Sequence, residues 1–206
     1  MITVECIDEL ADFAGVKNDV AAITRRAMNG ELDFKEALEE RVSLLAGLSV
    51  EVIDEVYRTR LEMMPGARTL VQTMRRMGAV TALVSGGFLP FAERVAAALG
   101  FEDVVANRLE IKNHKLTGRI LPPVTDGHTK LSTLDRLVKH RKLNLDETLA
   151  VGDGANDMAM IKAAGLGVAF RPHPTLADAS DVIVKVGNLT ALLYLQGIPK
   201  GEFFVE

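Results

Sequence analysis

Three short stretches of the chain set reactive side chains beside residues that free the backbone. They are Ser85-Gly86-Gly87 in "AVTALVSGGF", Lys130 just after "DGHT", and Asp153, Asn156 and Asp157 in "TLAVGDGANDMAM". A hydroxyl followed by two glycines offers a donor and backbone N–H groups that can approach an anion closely, although such a tripeptide also serves as a plain turn. Asp153, Asn156 and Asp157 present hard oxygen ligands at the end of a short apolar run. Such ligands suit Mg²⁺, which takes one or two carboxylates and completes its shell with water and phosphate oxygens. The same residues could equally form an Asx-rich turn that caps a helix. Lys130 heads an amphipathic helix, where the dipole disfavours a cation unless an anion is also there; the alternative is a solvated surface lysine. Together the three make a set for binding a phosphoryl group with a metal and a cation. Phosphoryl transfer needs little beyond positioning and charge neutralisation. A nucleophile, or a base to activate water, is missing from the set.

In open α/β sheets, ligands bind beyond the carboxyl ends of the strands, so the elements around these stretches matter. Hydrophobic periodicity changes near residue 65. Before it the chain reads helical. Val4, Ile7 and Ala11 share a face, and "DVAAITRRAMNG" forms a second stretch. A third, "DFKEALEERVSLLAGL", has Asp33 as N-cap with Glu36 three residues on, an apolar stripe of Phe34, Leu38, Val42 and Leu45, and Gly47 as its end. After Pro65, helices and strands alternate. The helix "GARTLVQTMRRMG" leads to the strand "AVTALVS", the helix "LPFAERVAAALG" and a hairpin from "FEDVVANRLEI" to "KNHKLTGRI". The helix "TKLSTLDRLVKHRK" follows, with Leu131, Leu134 and Val138 facing inward, then the strand "TLAVG", the helix "DMAMIKAAG" and the strand "LGVAF". A short helix near "PTLADAS", the strand "DVIVKV" and a helix "LTALLYLQ" complete the chain. The pattern predicts an α/β fold, a doubly wound parallel sheet, with a helical cap over residues 1–64 and a core over 65–206.

Composition narrows the function classes. The 206 residues are 48% hydrophobic and 25% charged, ordinary values for a globular chain. The net charge of -4 gives no electrostatic footprint for nucleic acid, so no nucleic-acid partner is expected. No apolar run approaches the roughly 20 residues of a membrane span and no signal peptide is apparent, so no membrane partner and a cytoplasmic location are expected. The one cysteine, Cys6, is expected to be a small buried apolar residue rather than a reactive thiol.

"VSGGF", Lys130 followed 23 residues later by Asp153, and "GDGAND" resemble motifs two, three and four of the haloacid dehalogenase (HAD) superfamily of phosphatases. The upstream stretches "VECIDELADFAG" and "AMNGELDFKEALEERVSLLAGL" are similar to the helices of the phosphoserine phosphatases within it, and the likeness continues from "MPGARTLV" to "GVAF". The resemblance implies a Mg²⁺-dependent phosphomonoesterase acting on a small phosphorylated amino acid in serine biosynthesis. It implies Asp153 as a Mg²⁺ ligand with Asp157 supporting the metal site. Ser85 and Lys130 would hold phosphoryl oxygens, and Gly86 and Asn156 would bind phosphate or substrate. In the cap, Glu5 and Arg41 would read the amino and carboxylate groups, with Met28 and Phe34 closing an apolar lid. Such roles are chemically apt, because Arg suits a carboxylate and a carboxylate suits an ammonium.

One departure stands out. The family's first motif, Asp-x-Asp-Ser-Thr, carries the nucleophilic Asp that forms an aspartyl-phosphate and the second Asp that serves as acid and base. No such motif occurs in the 206 residues. Counting back from Glu5 by the family's spacing puts the motif's final Thr immediately before Met1. The expectation is therefore that Met1 is an internal Met of a longer protein, and that the nucleophile and the first central strand lie upstream. The alternatives are a catalytically silent phosphate- and metal-binding module and a HAD phosphatase for another small phosphate.

Overall fold

The computed structural model describes residues 1–173, 176 and 179–205. Four helices open the chain: α1 (Cys6–Phe13), α2 (Lys17–Met28), α3 (Phe34–Ser43) and α4 (Glu51–Thr59). The buried face of α1 is Cys6, Ile7, Leu10 and Ala11, while Val4 precedes the helix. Helix α3 starts as its sequence predicts. Asp33 Oδ1 accepts from the Glu36 N–H at 2.8 Å and Glu36 Oε2 accepts from the Asp33 N–H at 3.0 Å, which satisfies two otherwise orphaned donors. The helix ends at Ser43, well before Gly47. Gly47, at φ 87°, is instead part of a crossing, and its N–H bonds to the Leu116 carbonyl at 2.9 Å. Tertiary pairing thus stops the helix before its glycine does. Helix α4, which the sequence did not single out, buries Ile53 and Val56.

The alternating part follows as α5 (Ala67–Arg76), β1 (Ala82–Phe88), α6 (Leu89–Leu99), β2 (Asp103–Lys112), β3 (Lys115–Leu121), α7 (Gly127–Arg141), β4 (Leu149–Gly152), α8 (Met158–Ala163), β5 (Leu166–Phe170), β6 (Val182–Val184) and α9 (Ala191–Leu195). The expected short helix over "PTLADAS" falls partly on residues 174, 175, 177 and 178, which lie outside the described residues. Asn113 and His114, both at positive φ (50° and 58°), make the two-residue turn between antiparallel β2 and β3.

The strands form two three-stranded sheets rather than one doubly wound sheet. One has the order β1-β2-β3 and the other β4-β5-β6, all parallel except the β2–β3 hairpin. Among the described residues β1 pairs only with β2, and β4 only with β5. Packing joins the two sheets: Leu83 of β1 and Leu149 and Val151 of β4 share one core with Val95, Leu99, Val168 and Leu192. The helices before Pro65 share a second core with the α/β part, where Leu10, Leu38, Leu45 and Val56 meet Phe88, Phe91, Leu109 and Leu116. The hairpin is also stitched to the helices by backbone bonds, Leu116 N–H to the Leu48 carbonyl at 2.9 Å and Val50 N–H to the His114 carbonyl at 3.0 Å. Among the described residues no helix is long and apolar enough to cross a membrane.

Candidate active site

Strand β1 breaks step at the Ser-Gly-Gly stretch. Val84 lies opposite Val105 and Phe88 opposite Asn107, so Ser85, Gly86 and Gly87 oppose a single residue of β2. The tripeptide is therefore a bulge inside the strand and not a turn after it. Ser85 Oγ accepts from the Gly87 N–H at 3.0 Å, and the Gly86 carbonyl accepts from Asn107 Nδ2 at 2.7 Å. A Cβ on Gly86 would lie 2.9 Å from Phe34 Cζ and 3.4 Å from Asn156 Nδ2. The glycine lets the first residue of α3 and the loop after β4 close over the bulge, where any side chain would press on the Phe34 ring.

Helix α7 supplies the cation. Asp126 caps it, Oδ1 accepting from the Thr129 N–H at 2.8 Å, and that bond holds the Asp126 carboxyl below its ordinary pKa. One turn on, Lys130 is buried, and its Nζ donates to Asp157 Oδ1 at 2.6 Å. The other carboxylate oxygen of Asp157 accepts from the Asp153 and Gly154 N–H groups, each at 3.2 Å. A Cβ on Gly152 would meet Asp157 Cγ at 2.3 Å, so the loop closes onto that carboxylate only because residue 152 is glycine. The anion that a lysine in the first turn of a helix calls for is thus Asp157. The carboxylate of Asp157 is taken up by Lys130 and by the loop amides. The most deeply buried positions of α7 are Lys130 and Thr133; Leu131, Leu134 and Val138 are half-buried, because the face turned inward is the one that delivers the lysine.

Asp153 keeps its carboxylate open to solvent at the end of β4. Among the described residues no three His, Cys, Asp or Glu side chains group to hold a metal ion. Among the described residues Asp153 thus stands as an open hard-oxygen ligand and not as part of a side-chain cage. That donor set fits Mg²⁺, which usually keeps several waters and binds substrate phosphates alongside one or two carboxylates.

The helical segment contributes the other wall. Glu5 stands just before α1 and retains access to solvent, yet the protein crowded around it raises its pKa, as do the Asp153 and Asp8 carboxylates. Arg41 and Lys130 pull it the other way. Desolvation lowers the Arg41 pKa, opposed by Glu5 and Asp8, and Arg41 Nε donates to the Ala37 carbonyl at 3.1 Å. Arg41, Lys130 and Asp153 therefore each lie within electrostatic reach of Glu5, and Phe34 covers Gly86 beside Asn156. Met28 stands 62% exposed at the end of α2. Three further residues that the motifs do not mark are Asn107, Thr125 and Asp126. Their signals were an amide interrupting the apolar run "VVANRL" and an Asp three residues before a Thr at a helix start.

A buried Lys–Asp pair, a Ser-Gly-Gly bulge and an open aspartate gathered at strand ends beneath a helical wall define a class: the chain belongs to the haloacid dehalogenase-like hydrolases, which it matches over residues 5–162. It is 45% identical over 198 residues to the phosphoserine phosphatase SerB2 of Mycobacterium tuberculosis, an alignment covering 96% of this chain and 48% of that protein. It is 42% identical over 199 residues to the phosphoserine phosphatase of Archaeoglobus fulgidus, covering 97% of this chain and 58% of that one. The chain thus spans about half the length of these curated relatives. A solved substrate-bound phosphoserine phosphatase complex superposes with a TM-score of 0.88 at 37% identity, covering 96% of this chain and 93% of that one.

Proposed function

We propose that this chain carries most of the active site of a cytoplasmic, Mg²⁺-dependent phosphomonoesterase that converts O-phosphoserine and water to L-serine and phosphate in serine biosynthesis. The observation that carries the reading is the convergence of the Ser85–Gly87 bulge, the buried Lys130 and the Asp153 loop under Phe34, with Glu5 and Arg41 alongside. Ser85 and the bulge amides would hold phosphoryl oxygens, and Lys130 would offset charge developing on them. Asn156 would hold the substrate beside Gly86. Arg41 would pair with the substrate carboxylate and Glu5 with its ammonium, while Phe34, and Met28 on a cap that moves inward, would exclude water. Mg²⁺ held by Asp153 would supply Lewis-acid polarisation of the phosphoryl group. Asp157 would act through Lys130 and through the loop that presents Asp153.

The nucleophilic and acid/base carboxylates would come from outside residues 1–206, on a strand added beside β1 and β4. The absence of any Asp-x-Asp-Ser-Thr motif in these residues, and the lack of a second strand partner for either β1 or β4 among the described residues, support that placement. Residues 1–64 would then be a cap over a core of 65–206. Calorimetry with O-phosphoserine and Mg²⁺, run beside an assay of phosphate release, tests the proposal. The 206-residue chain is expected to bind without turnover, as a silent binding module would, and a longer chain containing the motif is expected to hydrolyse. Hydrolysis by the 206 residues alone would overturn the placement of the nucleophile, and failure to bind would overturn the site.

A further inference from the structure

We infer that Asn107 is a positioning residue that fixes the Ser85–Gly87 bulge against the start of α7, so that the bulge amides and Lys130 address one phosphoryl group. This rests on the phosphate-site reading above. Asn107 is 0% exposed and stands in β2 where pairing with β1 resumes at Phe88. Its Nδ2 donates to the Gly86 carbonyl at 2.7 Å and its Oδ1 accepts from the Thr125 N–H at 2.7 Å. Only this orientation of the amide makes both contacts hydrogen bonds.

The geometry has a consequence for the anion site. A bulge turns a carbonyl out of the ladder, and a buried carbonyl needs a donor. Asn107 provides it from the β2 side. In a trans peptide the C=O and the following N–H point opposite ways, so holding the Gly86 oxygen aims the Gly87 N–H away from β2. There it reaches Ser85 Oγ at 3.0 Å and fixes the hydroxyl. The second bond holds Thr125, itself buried, next to the Asp126 cap, whose carbonyl accepts the Lys130 N–H at 3.1 Å. One side chain therefore sets the spacing between the two elements that would grip the phosphoryl group.

The test is titration of the wild-type chain, Asn107→Ala and Asn107→Asp with inorganic phosphate in MgCl₂, below each protein's melting temperature and across a pH series. Asn107→Ala removes both bonds and is expected to bind phosphate about tenfold more weakly while remaining folded, by circular dichroism. Asn107→Asp discriminates position from bulk. A protonated carboxyl reproduces both bonds, donating O–H to Gly86 and accepting from Thr125, whereas a carboxylate has no donor. Its affinity relative to wild type at the same pH should approach unity in acid and fall as the group ionises. Every group common to both proteins, the Asp126 cap among them, contributes equally to numerator and denominator and cancels in that ratio. A ratio that stays flat overturns the inference even if Asn107→Ala binds weakly, and unaltered binding by a folded Asn107→Ala overturns it too. If Asn107→Ala does not fold, the Asp ratio decides alone. A wild-type chain that binds no phosphate removes the phosphate-site reading and this inference together, an outcome distinct from retained binding in the variants.

Discussion

At the scale of single residues, the Lys130–Asp157 pair decides most. Both side chains are 6% exposed, and removing one partner of a buried pair strands the other. Lys130→Met is therefore expected to destabilise the fold by roughly 3–5 kcal/mol, read from urea unfolding, toward the low end because two loop amides still hold Asp157. Arg41→Ala should weaken O-phosphoserine binding at least tenfold, by loss of a carboxylate partner, and leave unchanged the binding of a phosphate ester without a carboxylate. Equal weakening of both ligands would remove Arg41 from carboxylate recognition. Cys6 is buried, and burial first, then the Glu5 and Glu9 carboxylates, push its thiol up to about 12, so thiol reagents at pH 8 should modify it only after unfolding. What was legible here was residue type. Lys130 and the "GDGAND" cluster could be singled out, but not that the lysine's anion would be Asp157, 27 positions away, since a pairing at that distance leaves no local pattern. Asn107 shows in the sequence only as an amide within an apolar run; its partners, 21 and 18 positions away, leave no local pattern.

At the scale of elements, starts were readable and ends were not. The capping box of α3 is written in Asp33 and Glu36, adjacent residues of one turn. Its end is set by Leu116, on a distant hairpin, whose carbonyl accepts from the Gly47 N–H and whose N–H donates to the Leu48 carbonyl. The Ser-Gly-Gly bulge likewise looks like a turn until β2 is laid beside it. Helix α7 carries the prediction at this scale. Asp126→Ala removes the cap and should cost about 1 kcal/mol of stability at neutral pH. The sign of its pH dependence follows from the lowered pKa. The folded form binds a proton less readily than the unfolded chain, so the stabilisation is complete above the ordinary Asp value and is lost as pH falls through the lowered folded value. Wild type and Asp126→Ala should thus converge in urea-unfolding free energy only in strong acid, and a difference independent of pH would exclude the carboxylate as its source.

At the scale of the whole molecule, periodicity fixed the order of strands and helices but not how many sheets they make, because a strand's neighbours are chosen in three dimensions. The two sheets are joined through side chains such as Leu83, Leu149 and Val168, with no hydrogen bonds between β1 and β4. Hydrogen exchange should read this directly. In a parallel ladder successive amides alternate between the two flanks of a strand. Strand β5 is flanked by β4 and β6, so protection should run continuously through Gly167–Phe170. Strands β1 and β4 each have one hydrogen-bonded flank, so about half of their amides should exchange as quickly as those of surface loops. If the nucleophile arrives on a strand seated beside them, a longer chain carrying the Asp-x-Asp-Ser-Thr motif should protect those same amides and leave β5 unaltered, a local gain that general stabilisation could not imitate. Equal protection of β1, β4 and β5 in the 206-residue chain would mean that both edges are already satisfied, leaving the acidic motif no strand position between them.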